Sequence, residues 1–260
     1  MKKMKMFFAV LFSVLAVVGA CFGAAGCAKN EKLVLGFDAD FPPYGYEENG
    51  EYVGFDIDFA KKVCSELGYE LELKPIDWDA KDSLLNSGAI DFIWNGFTYQ
   101  GRENSYEWTA QYLNNSIVVL TKDSGIAALS DLSGKVVAVQ EESSGEEALK
   151  KNAALVATFK NGRFETEPQY VTACEKLVAG SYDAIVVDYG VAKYLQSKNS
   201  ALKVVSEAVA EETYAVCFKK GNKELCEKIN GKMLEVGKDK AFIEGLCEKY
   251  GVDYQAFLLK

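Results

Sequence analysis

The sequence predicts an α/β fold of mostly parallel sheets covered by helices. Three observations predict it: strand-like and helix-like runs alternate along the chain, the helices carry readable start and stop residues, and a unit of helix, glycine, aspartate and strand occurs twice.

In chain order, residues 32–36 form a short apolar strand. The helix over 56–67 has Asp56 placed to cap its N-terminus, Asp58 suited to its positive first turn, and Phe55 able to staple onto Ala60. Phe59, Val63 and Leu67 share its apolar face, and Gly68 stops it because glycine tolerates a left-handed end. Further strands are expected at 70–74, 91–94, 117–121, 136–140, 184–188 and 214–218. Helical patterns lie at 80–87, 145–151, 168–179, 190–197, 222–236 and 239–249. The repeated unit is Gly88-Ala89-Ile90-Asp91, whose strand ends near Asn95, and Gly180-Ser181-Tyr182-Asp183, whose strand ends at Asp188. Each delivers a polar residue at a strand's C-terminal end, where open α/β sheets bind ligands. Two such lobes facing each other would aim both at one ligand.

Composition removes several function classes. There is no histidine in the chain, so a Ser-His-Asp triad, a Cys-His dyad and a histidine-ligated metal are excluded, and neither metal nor cofactor is expected. A formal charge of −9 argues against nucleic acid or anionic lipid as a partner. Cys64, Cys174, Cys217, Cys226 and Cys247 include no C-x-x-C pair. Cys64 and Cys174 sit in helical patterns as small buried hydrophobes, and Cys226 and Cys247, on consecutive helices, could pair in an oxidising compartment.

Residues 1–26 read as a removable export signal: Lys2, Lys3 and Lys5 precede an apolar run over 7–18 that is too short to span a bilayer comfortably. Ala24-Ala25-Gly26-Cys27 resembles a lipoprotein cleavage box in which Cys27 carries the lipid. A plain cleaved signal is the alternative, and the segment ending at Cys21 is a weaker competing box.

Leu33-Val34-Leu35-Gly36, running through Phe37-Asp38-Ala39-Asp40-Phe41-Pro42-Pro43-Tyr44 to Gly54-Phe55-Asp56-Ile57-Asp58-Phe59-Ala60, resembles the signature of the amino-acid-binding family of bacterial extracellular solute-binding proteins. These are the receptors that feed ATP-driven importers, and the resemblance spans nearly all of residues 31–250. It implies a two-lobed, type II periplasmic-binding-protein-like fold with the ligand cleft between the lobes. Lobe 1 would take 27–113 and 213–260 and lobe 2 would take 114–212, with hinge segments near 112–116 and 211–213. The implied function is that of a monomeric, lipid-anchored, extracytoplasmic receptor that traps a free polar amino acid and presents it to a membrane permease. An enzyme on the same scaffold, a dehydratase of a small carboxylic acid, is the alternative.

An amino-acid receptor needs a fixed cation for the carboxylate, a fixed anion for the ammonium, and neutral donors between them. Arg102 occupies the place of the family's arginine, one residue nearer to Thr98 than is common, and its planar fork suits a carboxylate. It follows Asn95, Gly96 and Thr98, where the family carries its neutral loop. Asp188 matches the aspartate that takes the ammonium, although it could also cap the helix beyond it. Gln140 ends a strand, and Ser143 and Ser144 begin the next helix, where amides and hydroxyls cradle anions; Glu142 replaces the usual glycine before that pair. Phe41 and Trp78 match rings that flank the ligand side chain, Trp94 reads as core, and Asp38 matches a family position facing the side-chain end. Asp38 favours a cationic or amide side chain, or cystine, over another carboxylate.

Overall fold

A computed structural model describes residues 31–260, so the export-signal region and Cys27 lie outside the described residues. Two sheets organise the chain. The first is built from β1 (Lys32–Phe37), which continues through the small antiparallel excursion β2 (Asp40–Phe41), β3 (Gly45–Glu48) and β4 (Glu51–Val53) into α1 (Phe55–Glu66). Then come β5 (Glu70–Pro75), α2 (Lys81–Ser87), β6 (Phe92–Ile93) and β7 (Tyr106–Trp108).

The chain then enters the second sheet. Its elements are β8 (Leu113–Thr121), β9 (Val137–Gln140), α3 (Ser144–Lys151), α4 (Ala153–Val156), β10 (Glu165–Glu167), α5 (Tyr170–Ala179), β11 (Ala184–Asp188), α6 (Tyr189–Lys198), β12 (Lys203–Val204) and β13 (Ala210–Tyr214). It returns through β14 (Cys217–Lys219) to the first sheet and finishes with α7 (Lys223–Val236) and α8 (Lys240–Tyr250).

The first sheet has the order β5-β1-β6-β14-β7, and the second has β10-β9-β11-β8-β12 with β13 also paired to β8. Each is mixed. The strands joined by helices, β5-β1-β6 and β10-β9-β11, are parallel, as crossover helices require, while β14, β7, β8, β12 and β13 add antiparallel partners. The expected strand over 214–218 proves to be two. Tyr214 closes β13 in the second sheet and Cys217 opens β14 in the first. The two crossing segments run side by side, tied by Tyr112 N–H to Tyr214 C=O at 2.8 Å and Thr109 N–H to Val216 C=O at 3.1 Å.

Burial on both faces explains the continuous apolar strands of the second sheet. Ile117 and Val119 of β8 pack with Val137, Val139, Ala184 and Val186 on one face, and Val118 and Leu120 pack with Ile185, Val187 and Leu177 on the other. Each such valine, isoleucine or leucine side chain taken fully from water stabilises the fold by about 1.5–3 kcal/mol. In the first lobe, Phe55, Phe59 and Val63 of α1 face a core shared with Ile229 and Met233 of α7, Ile243 of α8 and the tail residue Phe257.

The start of α1 corrects one expectation. Asp56 does not cap it: the cap is Gly54, at φ 139°, and no side chain bonds the helix end. A Cβ at Gly54 would lie 2.1 Å from the Tyr44 carbonyl oxygen, so only glycine lets the chain turn there. Asp56 and Asp58 both occupy the positive first turn, and Gly68, at φ 79°, follows the helix end as expected. Cys64, Cys174, Cys217, Cys226 and Cys247 are all buried and unpaired. Among the described residues no helix is long and apolar enough to cross a membrane.

Candidate functional site

Four strands, two from each sheet, end at one pocket. Asp38 follows β1, and Asn95 and Gly96 follow β6. From the other side come Gln140 at the end of β9 and Asp188 at the end of β11. Thr98 and Arg102 enter from the loop beyond Gly96, Ser143 and Ser144 from the start of α3, and Phe41 and Trp78 from the first lobe. Every cleft residue expected from the sequence therefore lines this cavity. Two that were not expected, Phe97 and Tyr170, line it as well. Trp94 is fully buried core, stacked edge-on against Phe59 at 5.0 Å.

The cation is held from three sides. The Arg102 guanidinium lies 4.9 Å from the centre of the Phe97 ring. It donates from Nη2 to Glu147 Oε1 at 2.9 Å and from Nη1 to the Thr98 carbonyl at 3.5 Å. Phe97 is itself packed against Trp108 at 5.5 Å and Trp78 at 5.4 Å, which fixes the platform.

The anion is better buried than its sequence position suggested. Asp188 is only 2% exposed, and although it stands at the N-cap of α6 its carboxylate makes no cap bond. It accepts from Tyr214 Oη at 2.5 Å and from Asn115 Nδ2 at 3.0 Å. Burial raises its pKa above the usual carboxylate range.

The neutral loop is anchored by the first helix. Asp56 Oδ2 accepts the Gly96 N–H at 2.5 Å and the Tyr112 hydroxyl at 2.7 Å. Asn95 Oδ1 accepts the Asp38 N–H at 2.6 Å, while its Nδ2, buried against Gly45, has no hydrogen-bond partner in the protein.

Ser143 caps α3 by accepting the Glu146 N–H at 3.1 Å and donates to the Gln140 carbonyl at 2.7 Å, so the helix N-terminus with Ser144 is held against the cavity. Glu142 adopts φ 54°, the left-handed conformation that accounts for a glycine at that place. Its side chain is half exposed, and Oε2 accepts from Lys81 Nζ at 2.8 Å, a lysine only 4% exposed. Asp38 Oδ2 accepts from Gln140 Nε2 at 2.9 Å, and Gln169 Nε2 donates to Asp40 at 2.5 Å. The Lys81–Glu142, Asp38–Gln140, Asp40–Gln169 and Arg102–Glu147 pairs tie segments beside the first sheet to segments beside the second.

Sequence reasoning missed Asn115, Glu147 and Glu212. Glu212 of β13 is 7% exposed and accepts from Asn115 Nδ2 at 2.7 Å and from the Thr98 hydroxyl at 3.0 Å. A signal existed: in β13, Glu212 and Tyr214 alternate inward, so a glutamate stands at a core-facing position.

Comparison with known proteins supplies an independent line. The family profile for bacterial extracellular solute-binding proteins, family 3, matches residues 33–252. The L-cystine-binding protein TcyJ of Escherichia coli strain K12 is 32% identical over 228 residues, covering 85% of this chain and 83% of the relative. The arginine-binding extracellular protein ArtP of Bacillus subtilis strain 168 is 31% identical over 252 residues, covering 91% and 96%. The crystal structure of an ABC uptake transporter substrate-binding protein from Streptococcus pneumoniae with bound histidine superposes with a TM-score of 0.82 at 30% identity, covering 86% of this chain and 94% of that one.

Proposed function

The chain belongs to the bacterial extracellular solute-binding proteins of family 3, and from that premise we propose that it captures a free polar L-amino acid for an ATP-driven importer. The observation that carries this reading is the pair Arg102 and Asp188, drawn from opposite lobes onto one cavity. A zwitterion needs that arrangement, whereas a substrate without an α-ammonium, as in the dehydratase alternative, has no use for Asp188.

In this reading Arg102 takes the ligand carboxylate with two charge-assisted bonds, helped by Ser143, Ser144 and the N-terminus of α3. Asp188 takes the ammonium, and Asn95, Gly96 and Thr98 supply the neutral contacts between them. Phe41 and Trp78 flank the side chain, with Asp38 and Gln140 at its far end. Next to the cavity lies an opening lined by Asp38, Asp77, Asp79 and Glu141, which supports a cationic side chain, then an amide or cystine, over glutamate or aspartate.

The lobes, 27–113 with 213–260 and 114–212, close around the ligand, and the closed form is what the membrane permease reads. The protein works as a monomer outside the cytoplasm, tethered by lipid on Cys27. A thermal-shift screen of the twenty amino acids with cystine and ornithine tests the reading, because a ligand at a hundred times its Kd adds about 2.7 kcal/mol of stability. Arginine, lysine, ornithine, histidine, glutamine or cystine should give the largest rise. No rise with any compound, or the largest with glutamate, would overturn it. Equal membrane partition of wild type and Cys27→Ser would overturn the anchor alone.

A further inference from the structure

Asn115, Asp188 and Glu212 stand on β8, β11 and β13, three strands of one sheet in which β8 pairs with both others. One amide nitrogen, Asn115 Nδ2, bonds both carboxylates, at 3.0 Å to Asp188 and 2.7 Å to Glu212. The three residues stand on paired strands of one sheet, so opening a cleft between the sheets would not separate the pair; from outside the trio the Thr98 hydroxyl reaches Glu212 and the Tyr214 hydroxyl reaches Asp188. Among the described residues no lysine or arginine is paired with either acid. The titratable and charged groups around the cluster are Tyr44, Tyr170 and Tyr214, and Arg102 with its partner Glu147. Burial raises all three tyrosines, so they stay neutral. The one cation among these groups is spoken for by Glu147.

Two buried carboxylates bridged by a single amide lack a counter-charge. Resting on the amino-acid reading above, we propose that Glu212 is the second carboxylate of the ammonium site, that the ligand-free pair shares one proton, and that the incoming α-ammonium displaces it to solvent. Glu212 thereby selects for a ligand carrying an α-ammonium, and capture is linked to proton release. The electrostatics agree: burial first, and the Asp188 charge second, push Glu212 up to about 8. Titration belongs to the pair as a unit, the first proton leaving easily and the second held.

The sign follows from the charges. Ligand binds the doubly ionised pair, so at pH values below about 8 each unit of acidification should raise Kd about tenfold, until the ligand-bound pair itself takes up a proton. Calorimetry with the amino acid that stabilises most, run at pH 6.5 in phosphate and in Tris, reads proton release directly from the difference in heat. Wild type should release about one proton per ligand, and its Kd should weaken about tenfold from pH 7.5 to 6.5. Glu212→Gln, which keeps the bonds to Asn115 and Thr98 within reach, should release none and lose the slope. Amino-acid binding without proton release by the wild type overturns this proposal and leaves the receptor reading intact. Release that persists in folded Glu212→Gln overturns the role of Glu212. If no amino acid produces heat, the receptor reading fails and takes this proposal with it.

Discussion

Arg102 and Glu147 meet across the cleft at 2.9 Å, so the arginine aimed into the cavity already holds an anion from the second lobe. Arg102 is a tenth exposed at its side chain and Glu147 more than a third, and the pair is consequently screened on one side. Its role is to orient the guanidinium plane over Phe97 rather than to supply large binding energy.

Glu147→Gln should therefore change ligand affinity by no more than about fivefold, the size of a solvent-screened pair. Titration calorimetry at 50 and 300 mM salt would check it. A loss above thirtyfold would mean that the pair, and not the ligand, is the main user of Arg102.

Arg102→Ala and Asp188→Asn should each weaken affinity by roughly thirtyfold to several thousandfold. Removing one partner of a desolvated charge pair costs about 2–5 kcal/mol, chiefly through the charge left behind. Both variants should keep their secondary structure by circular dichroism. Binding within fivefold of wild type in both would refute the ligand placement.

Gly190→Ala should weaken binding without unfolding the protein. A Cβ there would lie 2.2 Å from Tyr44 Oη, and the Tyr44 ring is wedged against Phe41 at 5.5 Å and Tyr214 at 5.2 Å. Tyr44 belongs to the first lobe and Gly190 to the second, so the clash is met only when the cleft closes. Overpacking costs about 1–3 kcal/mol, or roughly five- to 150-fold in Kd. Calorimetry on Gly190→Ala, with Tyr44→Phe added for partial rescue, checks this; unchanged affinity would remove the steric argument.

Asp56→Asn should flatten the pH dependence of stability. Burial raises Asp56 from 3.8 to about 7, so the folded protein keeps that proton while the unfolded chain loses it. Stability from this group is thus greatest below pH 4, falls as pH rises from 4 to 7, and levels off above 7, a cost of up to about 4 kcal/mol. The Asn amide oxygen still accepts from Gly96 and Tyr112. Relative to wild type, the variant's Tm should gain several degrees between pH 5 and pH 8. An equal slope in both proteins would overturn the assignment.

The sheets were legible because their information is local. Ala184 to Val187 is apolar at every position because both faces of β11 are covered, and Asp188 then breaks the run at the strand's end. The cavity residues were legible through resemblance and through that same strand-end rule. Contacts set by tertiary approach were hidden. Asp56 reads as a helix cap from its neighbours in sequence, yet its partners, Gly96 and Tyr112, lie 40 and 56 residues away. Glu212 lay inside an expected hinge and was given no role; the alternation of β13 turns it inward, and the antiparallel register sets it opposite Asn115. The break of 214–218 between two sheets was hidden for the same reason, since apolar periodicity does not say which sheet receives a strand.

The crossing segments bind to each other at Tyr112–Tyr214 and Thr109–Val216, and this limits the freedom of everything beyond them. A single strand between two bodies can swivel; two strands laced side by side act like a door hung on paired hinges, free to bend about one axis and stiff against twist. The same side chains must then meet at every swing, Lys81 with Glu142 and Arg102 with Glu147, with no search over orientations. On the receptor reading proposed above, such a door would have one path between open and shut, and a partner gripping both leaves would feel through it whether the cleft is filled.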